Sequence, residues 1–587
     1  MNISPTTRKW LGLIAIALGV ALIVVDTTIV NVIVPSIIED LGINSVQAQW
    51  IQESYAIVFA ALLLLVGRVA DLVGARRIFI AGVVVFGATS LLAGLAPNGG
   101  LLILARFLQG AGAAMILPTS LSLLNAMFTG KARGQAFAVW GSTIGAASAL
   151  GPLLGGWLAE HASWRWAFGI NIPLAALILI GAVLFIAPSP RTAGRIDATG
   201  AALSIAGLGL LAFGLVEGRT YGWLTTKEPF DLFGLSWSSG PSPVLVALVL
   251  AVLSLGAFAY RQTMLTRSDD PSRALMDVRL FSISSFRNGN IATLIIGLGE
   301  FGIVAVLPLW LQFTLGYSAL QAGLALVPIA IGSFVASGAS FGMASKVSPL
   351  GLVRIGFALE ALGLAGLGFI AATDSPWWTI AAVLFFYGIG VGFATAQVTN
   401  VVLEEIPEQS AGQGSGIQSA FRQLGSALGI AVLTTVFFST LNSTLNNDLT
   451  ESGVDQAQAD QLTRAVTDSA GAAIDSLAGS PSTAFVADAA QSAMTHGITL
   501  GGYLAAGFVV VGLIATALIP NKPAPSTEEE TKAAADACRP DRCSTVPVCD
   551  CPGHGQHSHV GQHGHVSLQR CSARPTSWPS VSKHANW

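Results

Sequence analysis

Acidic and basic side chains are scarce where this sequence is most apolar, so the few that stand there define the chemistry open to it. Asp26, Glu53, Arg106, Glu217, Glu300 and Glu360 lie within or at the ends of long apolar runs. A charge at the centre of a bilayer costs on the order of 3 kcal/mol on insertion scales, and such residues face a water-filled cavity or a partner. Burial disfavours a charged carboxylate and a neighbouring guanidinium favours it, so a carboxyl balanced between the two can load a proton on one side and release it on the other. Asp26 with Arg106 is the pair suited to that work, although a purely structural ion pair would use the same residues. Glu300, mid-run among Gly297, Gly299 and Gly302, suits a cationic substrate or a second proton; glycines there equally mark a close helix seam. Glu53, in Gln49-Trp50-Ile51-Gln52-Glu53, guards an external mouth or is an ordinary acid at a helix start. No role for Glu360 follows from its position. A Walker-type lysine loop and a nucleophile–base arrangement are both missing from the sequence, which points away from ATP-driven transport and from catalysis. The expected drive is an ion gradient, with no cofactor and no bound metal.

Those side chains need elements that cross a membrane. Of 587 residues, 52% are hydrophobic and 10% charged, against roughly 25% charged in soluble proteins. Apolar runs of about twenty residues recur, the length a helix needs to span the hydrocarbon core. They predict spans near 10-34, 50-70, 78-96, 101-126, 135-159, 166-187, 197-217, 244-264, 291-313, 321-343, 351-372, 377-400, 420-441 and 499-519. The reading is an all-α integral membrane protein of about fourteen helices, with the lipid bilayer as its solvent. Basic residues such as Arg76, Arg77, Lys131, Arg133, Arg261 and Arg267 gather in the even-to-odd connections, which places these and both termini in the cytoplasm. The net charge of -3 gives no sign of a polyanion-binding protein, so nucleic acid is not an expected partner.

Four regions follow: a six-helix bundle over 1-190, two linker spans and a cytoplasmic loop over 191-288, a second six-helix bundle over 289-520, and a disordered tail over 521-587. Two blocks of six spans would pair span 1 with span 9 and span 4 with span 12. The acidic external stretch 441-498 has helix-like spacing at Leu462, Val466, Ala470 and Ile474, which fits either an amphipathic hairpin or a solvated loop. Span 5 carries Gly141, Gly145, Gly151, Pro152, Gly155 and Gly156, small residues that let helices meet at backbone distance and a proline that kinks them.

Several stretches together resemble the signatures of the major facilitator superfamily, in its fourteen-spanner drug:proton antiporter branch. Asp26-Thr27-Thr28-Ile29-Val30-Asn31-Val32 with Pro35 is similar to the first-span signature. Gly67-Arg68-Val69-Ala70-Asp71-Leu72-Val73-Gly74-Ala75-Arg76-Arg77 resembles the gating loop between spans 2 and 3, with Ala75 where a basic residue is usual. In the second half, Gly342-Met343-Ala344-Ser345-Lys346 has lost the acid. Arg106-Phe107-Leu108-Gln109-Gly110-Ala111-Gly112 resembles the proton-transfer motif of span 4, and Gly151-Pro152-Leu153-Leu154-Gly155-Gly156 the antiporter motif of span 5. Trp164-Arg165-Trp166-Ala167-Phe168 with Asn171 and Pro173, and Gly414-Ser415-Gly416 with Arg422-Gln423-Leu424-Gly425, are similar to the same branch. The resemblance implies a functional monomer with a central cavity lined by spans 1, 4, 9 and 12, open alternately to each side. Asp26, Arg106 and Glu300 would line it, with Gln397 and Asn400 bonding a polar substrate group and Phe301, Trp310 and Phe393 near a flat or cationic ligand. Export of lipophilic, cationic toxic compounds in exchange for protons is the implied activity; export of one endogenous metabolite or antibiotic keeps the fold and changes the cargo.

The tail holds Cys538, Cys543, Cys549, Cys551, His554, His557, His559, His563 and His565. Their spacing matches no closed zinc pattern, so a nonfunctional extension is preferred to a metal site. A membrane sensor built on that tail is the remaining reading; deleting 521-587 would abolish a sensor and spare a transporter.

Overall fold

The computed structural model describes residues 4–43, 45–232, 235–268, 273–343 and 347–518. Among the described residues fourteen helices are long and apolar enough to cross a membrane. Spans 1 to 6 are Pro5–Leu41, Ser45–Val73, Ala75–Gly94, Gly99–Met127, Gly130–His161 and Asn171–Phe185. Spans 7 and 8 are Ala198–Tyr221 and Pro243–Arg267. Spans 9 to 14 are Ser284–Phe313, Ala319–Met343, Pro349–Ile370, Trp377–Leu403, Ala411–Glu451 and Ala484–Ala515. Local sequence sets several ends. Ser4 Oγ accepts the Thr7 amide at 3.1 Å, Pro5 fills the first turn, and Gly42 at φ +59° closes span 1.

Spans 9, 13 and 14 start earlier than hydropathy places them, at 284, 411 and 484. The cause is visible in residues 411–420, all of which are buried although seven of the ten are polar or glycine. They face other helices and not lipid, a setting in which small polar residues permit close packing and cost little. Of the two readings for 441-498, the hairpin is the one observed. Span 13 runs on to Glu451, short helices follow at Gln456–Asp468 and Ala473–Ala478, and Val466 and Ile474 are fully buried beneath them. A small β-hairpin between spans 7 and 8, pairing Phe230 with Trp237, is an addition to the all-α expectation. The Cys/His tail and Ala344, Ser345 and Lys346 lie outside the described residues.

One packing scheme serves both halves. Span 1 packs on spans 5 and 6, span 3 on 4 and 6, and span 2 on 4; span 9 packs on 13 and 14, span 11 on 12 and 14, and span 10 on 12. Adding eight to each number converts the first set into the second, the repeat that pairs span 1 with 9 and span 4 with 12. Each half buries an indole with its N–H satisfied: Trp140 donates to Ser120 Oγ and Trp310 to Thr495 Oγ1, both at 3.1 Å. The halves meet where span 5 packs on spans 10 and 12 and span 13 on spans 2 and 4. Span 7 packs on spans 2, 8 and 13, and its Arg219 stacks 3.8 Å from the Phe438 ring of span 13.

Candidate functional site

Asp26 is fully buried, a place that a carboxylate tolerates only with several donors. Arg106 Nη1 reaches its Oδ2 at 2.5 Å, and Gln109 Nε2 and Asn171 Nδ2 each donate to Oδ1 at 2.8 Å. Gln109 and Asn171 also donate to Ser90 Oγ, at 2.8 and 3.2 Å. Arg106 Nε donates to the Ile51 carbonyl at 3.0 Å, and its guanidinium lies 4.3 Å from the Tyr55 ring centre. Asp26 and Arg106 thus touch. Every one of these partners belongs to the N-terminal half, and spans 3 and 6 contribute Ser90 and Asn171. The pair sits inside its own bundle, not on a wall facing the second half as the cavity expectation had it. Arg106 and Gln109 reach Asp26 together because they are three residues apart on one helix face. Glu53 is half-buried near the start of span 2.

The second half gathers its charges differently. Glu300 Oε2 lies 3.4 Å from Arg422 Nη2, with side chains 12% and 8% exposed. Arg422 stands 5.7 Å from the Phe301 ring, and Tyr387 Oη donates to the Glu300 carbonyl at 3.3 Å. Arg422 comes from span 13, whose repeat partner is span 5, so this pair is not the copy of Asp26–Arg106. Beside it Glu360 is fully buried, and neither carboxylate oxygen has a hydrogen-bond partner among the described residues. Of the other aromatic candidates, Trp310 and Phe393 are buried in the core.

At the end bearing the Gly67–Arg77 segment the halves are locked together. Asp71 accepts the Gly412 amide at 2.6 Å and the Gln413 amide at 2.9 Å, capping the N-terminus of span 13 where exposed N–H groups and the helix dipole favour an anion. Gly67 is needed for that approach: a Cβ there would lie 2.5 Å from the Gly412 carbonyl oxygen. Gly74 takes φ +105° to turn span 2 into span 3. Arg76 turns to span 6, its side chain donating to the Val183 carbonyl at 2.7 Å and its amide to Ser189 Oγ at 3.1 Å, while Arg77 is exposed. Gln397 and Asn400, expected to bind substrate, are buried at this lock. Asn400 accepts Arg133 Nε at 3.0 Å, Gln397 lies 3.5 Å from the Gly134 carbonyl, and Arg133 pairs with Glu404 at 3.4 Å. In this arrangement they join spans 5 and 12 and are buried between them.

Span 5 faces two ways. Gly151 and Gly155 seat span 1: a Cβ at Gly151 would collide with the Thr28 side chain, and one at Gly155 would come within 3.1 Å of the Ile29 carbonyl oxygen. Pro152 and Gly156 face the other half, at Gly323 and Leu320 of span 10. At the far end Asp40 accepts the Trp164 indole at 3.0 Å and pairs with Arg165.

Sequence reasoning missed Ser90 and the amides of Gly412 and Gln413. Small residues opening an apolar run at 411 are the signal that could have found the last two. It also missed an apolar cavity of about 430 Å³ between spans 2, 4, 7 and 8, lined by Trp50, Phe107, Phe213, Phe230 and Trp237 among others.

The described geometry has close counterparts. The Major Facilitator Superfamily model matches residues 16–430. Puromycin resistance protein pur8 of Streptomyces alboniger is 35% identical over 422 residues, covering 70% of this chain and 78% of its own. Multidrug efflux pump LfrA of Mycolicibacterium smegmatis (strain ATCC 700084 / mc(2)155) is 30% identical over 411 residues, covering 69% of this chain and 76% of its own. Among solved structures, the proton:xylose symporter XylE bound to 6-bromo-6-deoxy-D-glucose aligns with a TM-score of 0.56 at 13% identity, over 90% of this chain and 99% of that one, a likeness of fold alone. With fourteen spans, a doubled helix-packing scheme and a family match across most of its length, this chain belongs to the Major Facilitator Superfamily.

Proposed function

We propose that the protein exports lipophilic, cationic drugs or toxic compounds from the cytoplasm in exchange for protons, as a multi-pass monomer of the cytoplasmic membrane. The observation that carries the proton half of this reading is the buried Asp26–Arg106 pair. The cargo half rests on relatives named for antibiotic resistance and multidrug efflux. The lock end carries the basic connections, so it is assigned to the cytoplasm together with both termini. The described state is then the one shut toward the cytoplasm.

A mechanical route joins the proton to the gate. A proton arriving on Asp26 removes the charge that holds Arg106, Gln109 and Asn171, and frees span 1 to move against spans 4 and 6. Thr28, two residues on, lies in the notch of Gly151, so span 1 carries span 5 with it. Span 5 presses on span 10 through Pro152 and Gly156, and on span 12 through Gly134 and Gly141. Opening there also requires the Asp71 cap on span 13 to release. Glu300, slightly exposed and held by a single arginine contact, is the proposed counter-charge for a cationic substrate or a second proton carrier. The proton gradient is the proposed drive, with no cofactor.

Efflux of ethidium from energised cells tests the reading, comparing the intact chain with Asp26→Asn and Glu300→Gln at matched expression. Uncoupler-sensitive efflux that either variant loses is the expected result. A chain that moves none of a broad dye panel contradicts the drug reading. The second reading, export of one antibiotic or endogenous metabolite, is favoured by the single-antibiotic name of the Streptomyces relative.

A further inference from the structure

Glu360 on span 11 is 0% exposed, and among the described residues neither of its carboxylate oxygens has a hydrogen-bond partner. Its carboxyl lies over Gly299, where a Cβ would sit 3.8 Å from Oε1, one residue from Glu300. The charged and titratable groups that face it are Glu300 on span 9, Arg422 on span 13 and Tyr387 on span 12. Span 14, also packed on span 11, offers Ala505 and Val509 near Gly299; its Tyr503 packs at Gly368, two turns away. One guanidinium thus pairs with one carboxyl and acts electrostatically on the second. With both ionised the trio carries one net negative charge among apolar helices, so charge balance requires one proton among the three. Arg422 engages Glu300, which leaves the proton for Glu360.

We propose that Glu360 is an internal proton site of the C-terminal bundle, exchanging its proton with Glu300 as Arg422 turns from one carboxyl to the other. The O–H bond at Glu360 breaks as one forms at Glu300, the guanidinium changes partner, and the trio stays neutral throughout. Glu300, 12% exposed, is the mouth through which the proton is traded with water, and Glu360 is the store. Tyr387, anchored on the Glu300 carbonyl, fixes the backbone beside the exchange. This rests on the proton-coupled reading above, and deepens it by giving the second half its own proton.

Infrared difference spectroscopy on the purified full chain reads the carboxyl directly, through the C=O stretch of a protonated acid. The intact chain shows one such band assignable to the trio. Glu360→Gln abolishes it, and so does Glu300→Gln, because the remaining Glu360 then ionises against Arg422; Arg422→Gln doubles it. A band that survives Glu360→Gln, or is missing from the intact chain, overturns the proposal. A band that persists in Glu300→Gln leaves Glu360 as a fixed structural acid and overturns the exchange. In proteoliposomes under an imposed pH gradient, Glu360→Gln is expected to lose gradient-driven ethidium movement at least tenfold, with Glu360→Asp restoring it. The bands do not depend on cargo, so an intact chain that shows them and moves no ethidium counts against the drug reading alone.

Discussion

In the N-terminal half one carboxylate, Asp26, is met by Arg106, Gln109 and Asn171; in the C-terminal half one guanidinium, Arg422, pairs with Glu300 and acts on the buried Glu360 only through its field. The helices pack by the same scheme, but the first site is saturated with donors and the second is short of them. A saturated site has one favoured arrangement and resists change until a proton removes its charge. A site with a spare carboxyl can lose or swap a partner at small cost. Duplication of the helix framework therefore did not duplicate the chemistry, and the two halves are suited to different steps of one cycle.

The largest expected effect tests that asymmetry. Asp26→Asn strands a buried Arg106 and should cost about 3–5 kcal/mol of stability, read as a fall in thermal midpoint in detergent. Glu300→Gln should cost only about 1 kcal/mol, since Glu360 can take its place at Arg422. A larger loss at 300 than at 26 breaks the comparison. Adding Arg106→Gln to Asp26→Asn should recover much of the loss, because no unpaired charge remains.

The lock offers a smaller effect. Asp71→Asn weakens the cap on span 13 by about 1–2 kcal/mol. Thiol labelling of cysteines placed at that end should then rise roughly five- to thirty-fold. Gly412→Ala acts in the same direction, its Cβ lying 2.5 Å from Asp71 Oδ1. Unchanged labelling in both would show that the cap holds nothing shut.

The smallest concerns the linker spans, outside both sites. Burial works against charge on Asp197, but hydrogen bonds from Arg261 at 2.7–2.9 Å and Gln262 at 3.0 Å outweigh it and hold the carboxyl below its ordinary 3.8. Folded-state depression means the contribution is fully present above that ordinary value and is lost as pH falls through the depressed one. Asp197→Asn should therefore destabilise by about 0.5–1 kcal/mol at pH 7, and the gap between variant and parent should close in acid. A gap that widens on acidification contradicts the assignment.

Fourteen spans were legible because lipid imposes a length and a composition on any helix that touches it. The starts of spans 9, 13 and 14 were not, since residues such as Gln413, Ser415 and Gln418 are shielded by protein and escape that rule. Asp26 and Arg106 were legible as charges too costly to be idle, and their contact was not, being set by helix rotation. The same uncertainty hid the contact of Asn400 with Arg133, because an amide answers equally to a substrate and to a guanidinium across an interface. Glu360 carried a signal, a lone acid in an apolar run, but its meaning depends on Arg422, sixty-two residues away on another helix.

Proton coupling through Asp26 is tested most directly by loading proteoliposomes with a pH-sensitive dye, imposing a pH gradient and adding ethidium. The intact chain should release protons down the gradient when ethidium is supplied, and Asp26→Asn should abolish that substrate-triggered flux while still binding ethidium. Equal proton flux in the two proteins would contradict the account.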